Sequence, residues 1–421
     1  MNQNENFNGE GFEKTNVSPA AAKTKKPIKV SLPLVIVIVL LTALLTFQTT
    51  FVVLNIKHNL EITKTKTAIG KFALLVEAFE LFGDEYIYNI DADALIDQML
   101  TAFNSQDQYS AYYTLEDYLA MVQGSQGSAK GIGVYISGSV TSMVVTYVMP
   151  SSPAETAGVL AGDEIIAIDG KYLTDIGYNE AVNMVAGENG TQVVLKVVRG
   201  GEEMDISVTR GDYTPYTVIH SQMEENGEKI GYIKIIQFDQ ITVSQFKTAM
   251  EELSGAGCTK FIFDLRNNPG GELNAVVSML DYLLPEGPIV HILDADKNVT
   301  QVYNSDKKEI TGEMVVLTNK GTASAGELFT AALRDYEKAT LIGTKTYGKG
   351  CGQSFHSLSN GGFITITSFF YNPPFGDNYD GIGIYPDIEV ELPEKYKNTN
   401  TLIIPQEEDT QLHAALSTLT K

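Results

Sequence analysis

Residues 30–56 carry no charge, and 34–54 is built mainly of Leu, Val, Ile, Phe and Thr. At about 1.5 Å per residue this run spans roughly 31 Å as a helix, the thickness of a bilayer's hydrocarbon core. Pro33 stands where a first-turn proline is tolerated, and Lys23, Lys25, Lys26 and Lys29 precede it. The pattern predicts a transmembrane helix over 33–55 with a cytoplasmic N-terminus. A cleaved signal peptide is the alternative, but the run is longer than a usual signal core and no small-x-small cleavage site follows it. Residues 1–32 lack apolar periodicity and read as a disordered cytoplasmic tail.

Over 56–123 apolar residues recur every three or four positions, in Phe72, Leu75, Val76, Phe79 and Phe82 and again in Ala94, Leu95, Met99 and Phe103, which predicts a helical arm. Gly124, Gly127, Gly131 and Gly133 break the pattern. Short β-rich runs follow at 134–136, 143–148, 164–168 and 191–198, with helical spacing over 178–186, so 124–211 reads as a compact β-rich α+β domain. Over 212–395 strand-like runs (229–236, 261–265, 313–317) alternate with helical ones (242–253, 273–284), the mark of an α/β core with crossover connections. Residues 396–421 form a C-terminal helical segment centred on 410–419. A homodimer through the helical arms is left open, because amphipathic helices also simply pack.

Length and charge narrow the function. The 421 residues allow two to four domains, and 43% hydrophobic with 19% charged residues is a folded composition. Thirty Lys and Arg against 52 Asp and Glu give a net charge of −22, which excludes a nucleic-acid partner, since neutralising phosphates needs a basic surface. The first 30 residues carry +2, so the acidic bulk lies beyond the apolar segment, outside the cytoplasm. The two cysteines, Cys258 and Cys351, exclude a disulfide-dense scaffold and leave one pairing undecided. His58, His220, His291, His356 and His413 show no ligand spacing, so no metal or other cofactor is implied.

Two blocks carry candidate chemistry. Asn319-Lys320-Gly321-Thr322-Ala323-Ser324-Ala325-Gly326-Glu327-Leu328 starts where a strand ends and opens a helix. A serine there, among small residues, leaves room for a substrate backbone and has helix N-terminal N–H groups beside it. It would serve equally as an N-cap if nothing downstream activated it. Thr346-Tyr347-Gly348-Lys349-Gly350-Cys351-Gly352-Gln353 supplies a lysine between glycines. On a solvated turn Lys349 would stay charged. To act as a base its pKa must fall from about 10.4 to about 7, which disfavours the ammonium by nearly 5 kcal/mol and needs a desolvated pocket, for which the apolar run 339–342 is at hand.

Lys130-Gly131-Ile132-Gly133-Val134, Ser152-Pro153-Ala154 with Ala157-Gly158, and Gly162-Asp163-Glu164-Ile165-Ile166 with Ile168-Asp169-Gly170 resemble a PDZ domain. The resemblance implies that N–H groups of Gly131, Ile132, Gly133 and Val134 hold a peptide carboxylate, with Ile132 lining a pocket for an apolar terminal side chain, while the peptide adds a strand to the sheet edge. A plain hairpin turn is the alternative. With Gln108-Tyr109-Ser110 and Tyr113 ahead of it, and Asp264-Leu265-Arg266-Asn267-Asn268-Pro269-Gly270-Gly271, the Ser324 and Lys349 blocks and Gly383-Ile384-Tyr385-Pro386-Asp387 after it, the chain from about residue 70 onward resembles the C-terminal processing (tail-specific) serine proteases.

That resemblance implies a Ser/Lys dyad, with Ser324 as nucleophile, Lys349 as general base and Gln353, one helical turn beyond, orienting the lysine. The oxyanion hole would be backbone N–H groups of Ala325 and of Gly270 or Gly271. It also implies substrates with apolar C-termini. Two departures stand out: Gly326 where the family commonly has Ser, and Gly352 where it has an apolar residue, which would loosen the turn holding Gln353. A Ser-His-Asp triad using His356 is the rival mechanism. Asp335 reads as structural, and Asp264 with Arg266 as a folded-state ion pair. The rival functions are a membrane-anchored PDZ adaptor with an inactive protease domain and a lectin-like surface module.

Overall fold

The computed structural model describes residues 72–73, 75–80, 91–105, 107–138 and 143–421, together with Thr46 and Thr50. The expected tail over 1–32 lies outside the described residues, as does the spanning helix over 33–55 apart from Thr46 and Thr50. Among the described residues no helix is long and apolar enough to cross a membrane. The chain forms two compact units, 1–91 and 92–421. In the first, 72–73 and 75–80 are helical, as their spacing predicts.

The second unit begins with α1 (Ala92–Thr101), a 3-10 turn, β1 (Ala111–Tyr113) and α2 (Leu115–Ser125). The strand corrects the expectation of a wholly helical arm. Asp107 Oδ1 accepts from the N–H groups of Tyr109 and Ser110 at 2.7 and 2.8 Å, a turn that ends helical spacing before the β-prone Ala-Tyr-Tyr run. A second correction concerns Gly124, which lies inside α2; the helix ends one residue later, at Ser125.

The PDZ-like unit comprises β2 (Ala129–Gly131), β3 (Val134–Gly138), β4 (Met143–Val148), α3 (Pro153–Ala157), β5 (Glu164–Ile168), β6 (Lys171–Tyr172), α4 (Leu173–Ile176), α5 (Tyr178–Val185), β7 (Gln192–Arg199), β8 (Glu202–Thr209) and β9 (Gly211–Tyr213). Its main sheet runs β3-β4-β5-β7-β8, leaving β3 at an edge, and its core includes Met143, Val145, Ile165, Leu195 and Val197. Ser152 caps α3 by accepting from Glu155 N–H at 3.2 Å. Pairing of β2 with β9 carries the unit to Tyr213, two residues past the expected boundary.

The core is built on a six-stranded sheet of β10 (Val218–Glu225), β11 (Glu228–Ile235), β12 (Lys260–Asp264), β15 (Met314–Thr318), β16 (Ala339–Gly343) and β19 (Ile388–Glu389), all parallel apart from β10. Alternating side chains of its strands feed two layers. Phe261, Phe263 and Val316 pack under α6 (Gln240–Gly255), α7 (Leu273–Leu283) and α8 (Ala325–Asp335), where Phe246, Phe263 and Phe329 meet ring to ring. Ile262, Val315 and Leu317 pack against Leu412, Ala415, Leu416 and Leu419 of α9 (Thr410–Leu419). The C-terminal helix therefore covers the sheet of its own chain and is no free dimerising arm. A second sheet, unforeseen from the sequence, consists of β13 (Gly287–Leu293), β14 (Val299–Ser305), β17 (Cys351–Ser357) and β18 (Phe363–Asn372), with β1 added on β18. It carries one wall of the site described next.

Candidate active site

Ser324 sits at the end of the loop that leaves β15, immediately before α8. Its backbone has φ 53° and ψ −118°, a conformation that costs a non-glycine residue on the order of 1–3 kcal/mol and persists only when neighbours enforce it. The enforcing bonds come from the 264–271 loop. Thr322 Oγ1 donates to Leu265 O at 2.8 Å, and Ala323 N–H donates to Asn268 O at 2.9 Å. Gly270, at φ 105°, lies so close that a Cβ there would stand 2.7 Å from the Ser324 Cβ, so a larger residue would displace the serine.

The three oxyanion-hole candidates differ in availability. Gly270 N–H already donates to Asn268 Oδ1 at 2.8 Å. For the N–H groups of exposed Gly271 and of Ala325, the first residue of α8, no hydrogen bond is found among the described residues.

Glu327 joins the serine loop to the lysine loop. Its buried carboxylate accepts from Ser324 N–H at 3.0 Å, Gly348 N–H at 2.7 Å, Lys349 N–H at 2.7 Å and the Thr346 hydroxyl at 2.5 Å. Burial pushes its pKa up, against those four bonds. The Gly383-Ile384 segment braces the same loop: Ile384 N–H donates to Thr346 Oγ1 at 2.7 Å and Thr346 N–H returns a bond to Ile384 O at 3.0 Å.

Half-buried Lys349 donates from Nζ to Gln353 Oε1 at 3.0 Å, and Nζ stands 4.2 Å from the Tyr109 ring centroid. Burial lowers its pKa below the usual lysine value, with Cys351, Asp107 and Asp380 partly opposing. The enclosure thus comes from Tyr109 and the second sheet; Leu341 and Ile342 of the apolar run named above are spent in the two core layers. Gln353 lies on β17, and not on a helical turn. Nor does Gly352 loosen anything: it is a strand residue where a Cβ would meet the Phe369 ring at 2.2 Å, beside a register shift between Gly352 and Gln353. Buried Tyr371 donates to Lys349 O at 2.7 Å and its hydroxyl lies 3.4 Å from Ser324 Oγ. Among the described residues no hydrogen bond links Ser324 directly to Lys349.

The remaining candidates fall elsewhere. Asp264 and Arg266 are a buried ion pair at 2.6 Å, and Asp335, at the end of α8, accepts from Phe375 N–H at 3.0 Å. Both cysteines are free and buried, and burial pushes the Cys351 thiol up to about 11. Among the described residues no cluster suits a metal ion. Ile132 is buried in the PDZ-like core, and the carbonyls of Ile132 and Gly133 accept from Ala154 and Met149 N–H groups at 2.8 and 3.0 Å, which fixes the 131–134 loop beside edge strand β3. Sequence reasoning missed Glu327 and Tyr371. The signal for the first was present, a glutamate three residues into a helix opened by serine; Tyr371 had none, since its strand was unforeseen.

Residues 229–390 match peptidase family S41, and residues 144–199 match a PDZ domain. The chain is 34% identical over 332 residues to a carboxy-terminal-processing protease of Bartonella bacilliformis, covering 76% of each chain. It is 30% identical over 364 residues to the carboxy-terminal processing protease CtpA of Bacillus subtilis, covering 86% of this chain and 78% of that one. A solved structure from Bacteroides fragilis assigned to the S41 proteases, 20% identical, superposes with a TM-score of 0.55 over 80% of this chain and 91% of its own, which shows a shared fold. The chain therefore belongs to peptidase family S41: it is a serine protease of the carboxy-terminal-processing type with a PDZ domain.

Proposed function

We propose that the protein is an endopeptidase, anchored by 33–55 with its catalytic part outside the cytoplasm, that captures apolar C-terminal tails in the PDZ domain and cleaves them with Ser324 and Lys349. The observation that carries this is the buried Glu327 carboxylate, which holds the strained Ser324 backbone and the Lys349 backbone at once. Neutral Lys349 takes the Ser324 proton as Oγ attacks the scissile carbonyl carbon. The resulting oxyanion accepts from Gly271 and Ala325 N–H groups. As the C–N bond breaks, the Lys349 ammonium returns the proton to the leaving amine. Water then gives a proton to Lys349, attacks the acyl carbon, and Ser324 Oγ leaves with that proton.

Tail capture is supported by edge strand β3, which pairs only with β4 in its sheet and whose free side would accept an added strand next to the 131–134 loop. Holding the tail raises its concentration at the active site.

The test uses full-length protein in detergent and an unfolded substrate with an apolar C-terminus. Ser324→Ala and Lys349→Ala should each abolish cleavage, and amidating the substrate's C-terminus should raise KM about tenfold or more with little change in kcat, since the free carboxylate is bound in ground and transition states alike. Cleavage by Ser324→Ala would overturn the mechanism. Indifference to amidation would overturn tail capture.

A further inference from the structure

Beyond the catalytic pair, a chain of hydrogen bonds leads from Lys349 to the turn that precedes β1. Lys349 Nζ donates to Gln353 Oε1 at 3.0 Å, Gln353 Nε2 donates to Thr367 Oγ1 at 3.1 Å, and the Thr367 hydroxyl donates to Asp107 Oδ1 at 3.1 Å. Its polarity is forced from the Asp107 end. A carboxylate only accepts, so the Thr367 hydroxyl must give its proton to Asp107. That oxygen is then left with lone pairs, which select the NH2 side of the Gln353 amide. The carbonyl side of Gln353 is left facing the lysine.

Which side faces the lysine matters for a base. A neutral amine has two N–H bonds and one lone pair. With Oε1 toward it, Lys349 spends an N–H on Gln353 and keeps its lone pair for the serine proton. With the amide reversed, Nε2–H would bind that lone pair and occupy it.

We propose that Asp107 and Thr367 are positioning residues that fix the orientation of the Gln353 amide, and through it the direction of the Lys349 lone pair. The inference rests on the Ser/Lys reading above. The turn is built to hold this arrangement: Asp107 also accepts from Tyr109 and Ser110 N–H groups and from the Ser110 hydroxyl at 2.5 Å, while Thr367 N–H donates to Ser110 Oγ at 3.1 Å. The same turn delivers the Tyr109 ring to Nζ. The segment ahead of β1 therefore belongs to the catalytic apparatus.

The groups facing Lys349 are Asp107 on this turn, Cys351 on β17, Asp380 on the 373–387 loop, the Tyr109 ring, the Tyr371 hydroxyl at its backbone carbonyl and Glu327 at its backbone N–H. Asp107 and Asp380 both favour the ammonium.

The experiment measures kcat, KM, the pH profile and the melting temperature of full-length Thr367→Val, Thr367→Ser and Asp107→Asn, with Ser324→Ala and Lys349→Ala alongside. Thr367→Val should lower kcat roughly 10- to 100-fold with KM within about twofold, the size of effect that follows from misplacing a reacting group. Thr367→Ser keeps the hydroxyl and should restore the rate. Asp107→Asn removes a charge that favours the ammonium, so the acid limb of kcat/KM should move to lower pH. Wild-type kcat in Thr367→Val, or equal losses in Val and Ser, overturns the proposal; if Thr367→Val melts early, the Asp107→Asn profile decides alone, and an unmoved limb overturns it. Activity surviving in Lys349→Ala would instead remove the dyad itself, whatever Thr367 does.

Discussion

Two lysines of this protein are drawn out of water, and they differ in the partners that meet their ammonium groups. Lys234, at the end of β11, is fully buried; its Nζ donates to Asp264 Oδ1 at 3.0 Å, to the Arg266 carbonyl and to Thr401 Oγ1 at 3.2 Å. Arg266 in turn pairs with Asp264 at 2.6 Å and Asp409 at 2.8 Å, so two cations meet two carboxylates and residues 401–409 are pinned to β11 and β12. Lys349 is less buried, and among the described residues it forms no ion pair; its Nζ meets an amide oxygen and a ring. Burial lowers the pKa of both. Burial alone therefore does not separate the two. A carboxylate partner turns the desolvated charge of Lys234 into scaffold, while neutral partners would leave Lys349 a proton that can move, as the proposed mechanism needs.

The sharpest break of this comparison is a matched pair of substitutions. Lys349→Met should lower kcat/KM by about a thousandfold, within the usual range for removing a positioned base, and leave the melting temperature unchanged or higher, because a desolvated charge is lost. Lys234→Met should do the reverse, destabilising the fold by about 3–5 kcal/mol in a urea titration, since it leaves the Asp264 side of the cluster under-compensated. A stable but inactive Lys234→Met would collapse the distinction between scaffold and base.

A smaller effect separates the two regions by pH. Burial would raise the Asp264 carboxyl, but the charges of Arg266 and Lys234 override it and hold it well below the usual carboxylate range. A depressed folded-state pKa contributes stability that is complete above the unfolded value of 3.8 and is lost as pH falls through the folded value. Lys349 is an amine, its ordinary 10.5 lowered by burial. Lowering the pH should therefore abolish cleavage reversibly, by protonating the base, while circular dichroism still reports a folded protein; unfolding should follow only in strong acid. Coincident loss of activity and structure would mean that the activity limb reports the scaffold.

The sequence made part of this legible. The runs 261–265 and 313–317 read as strands of an α/β core, and the structure covers both of their faces; Ser324 read as a strand-to-helix serine because a strand-like run ends before it and a helical one follows. The second sheet was not legible. β1 is three residues long and finds its partner on β18 254 positions away, Ala111 against Thr365, so no local pattern announces it; β14 is largely exposed and lacks the alternation that marks a half-buried strand. The same blindness misplaced Gln353: a spacing of four from Lys349 reads as one helical turn, whereas the contact is made from a turn into a strand with a register shift at Gly352. The Asp107 turn was hidden for a related reason, since its partner Thr367 lies on that unforeseen sheet.

The smallest predicted effect concerns a third basic group. His356 lies three residues beyond Gln353 on β17, and because strand side chains alternate, an odd spacing puts it on the opposite face from the amide that meets Lys349. It is exposed, pairs across the ladder with Ile364, and forms no hydrogen bond to Ser324 among the described residues. His356→Ala should therefore change kcat/KM by less than about twofold, as surface substitutions away from a site usually do. Were the rate to fall a hundredfold and the acid limb to sit near the ordinary histidine value of about 6.5, the imidazole would be the base and Lys349 a second piece of scaffold. An unchanged rate leaves the desolvated lysine as the group that takes the serine proton, with its neutral partners as the reason it can.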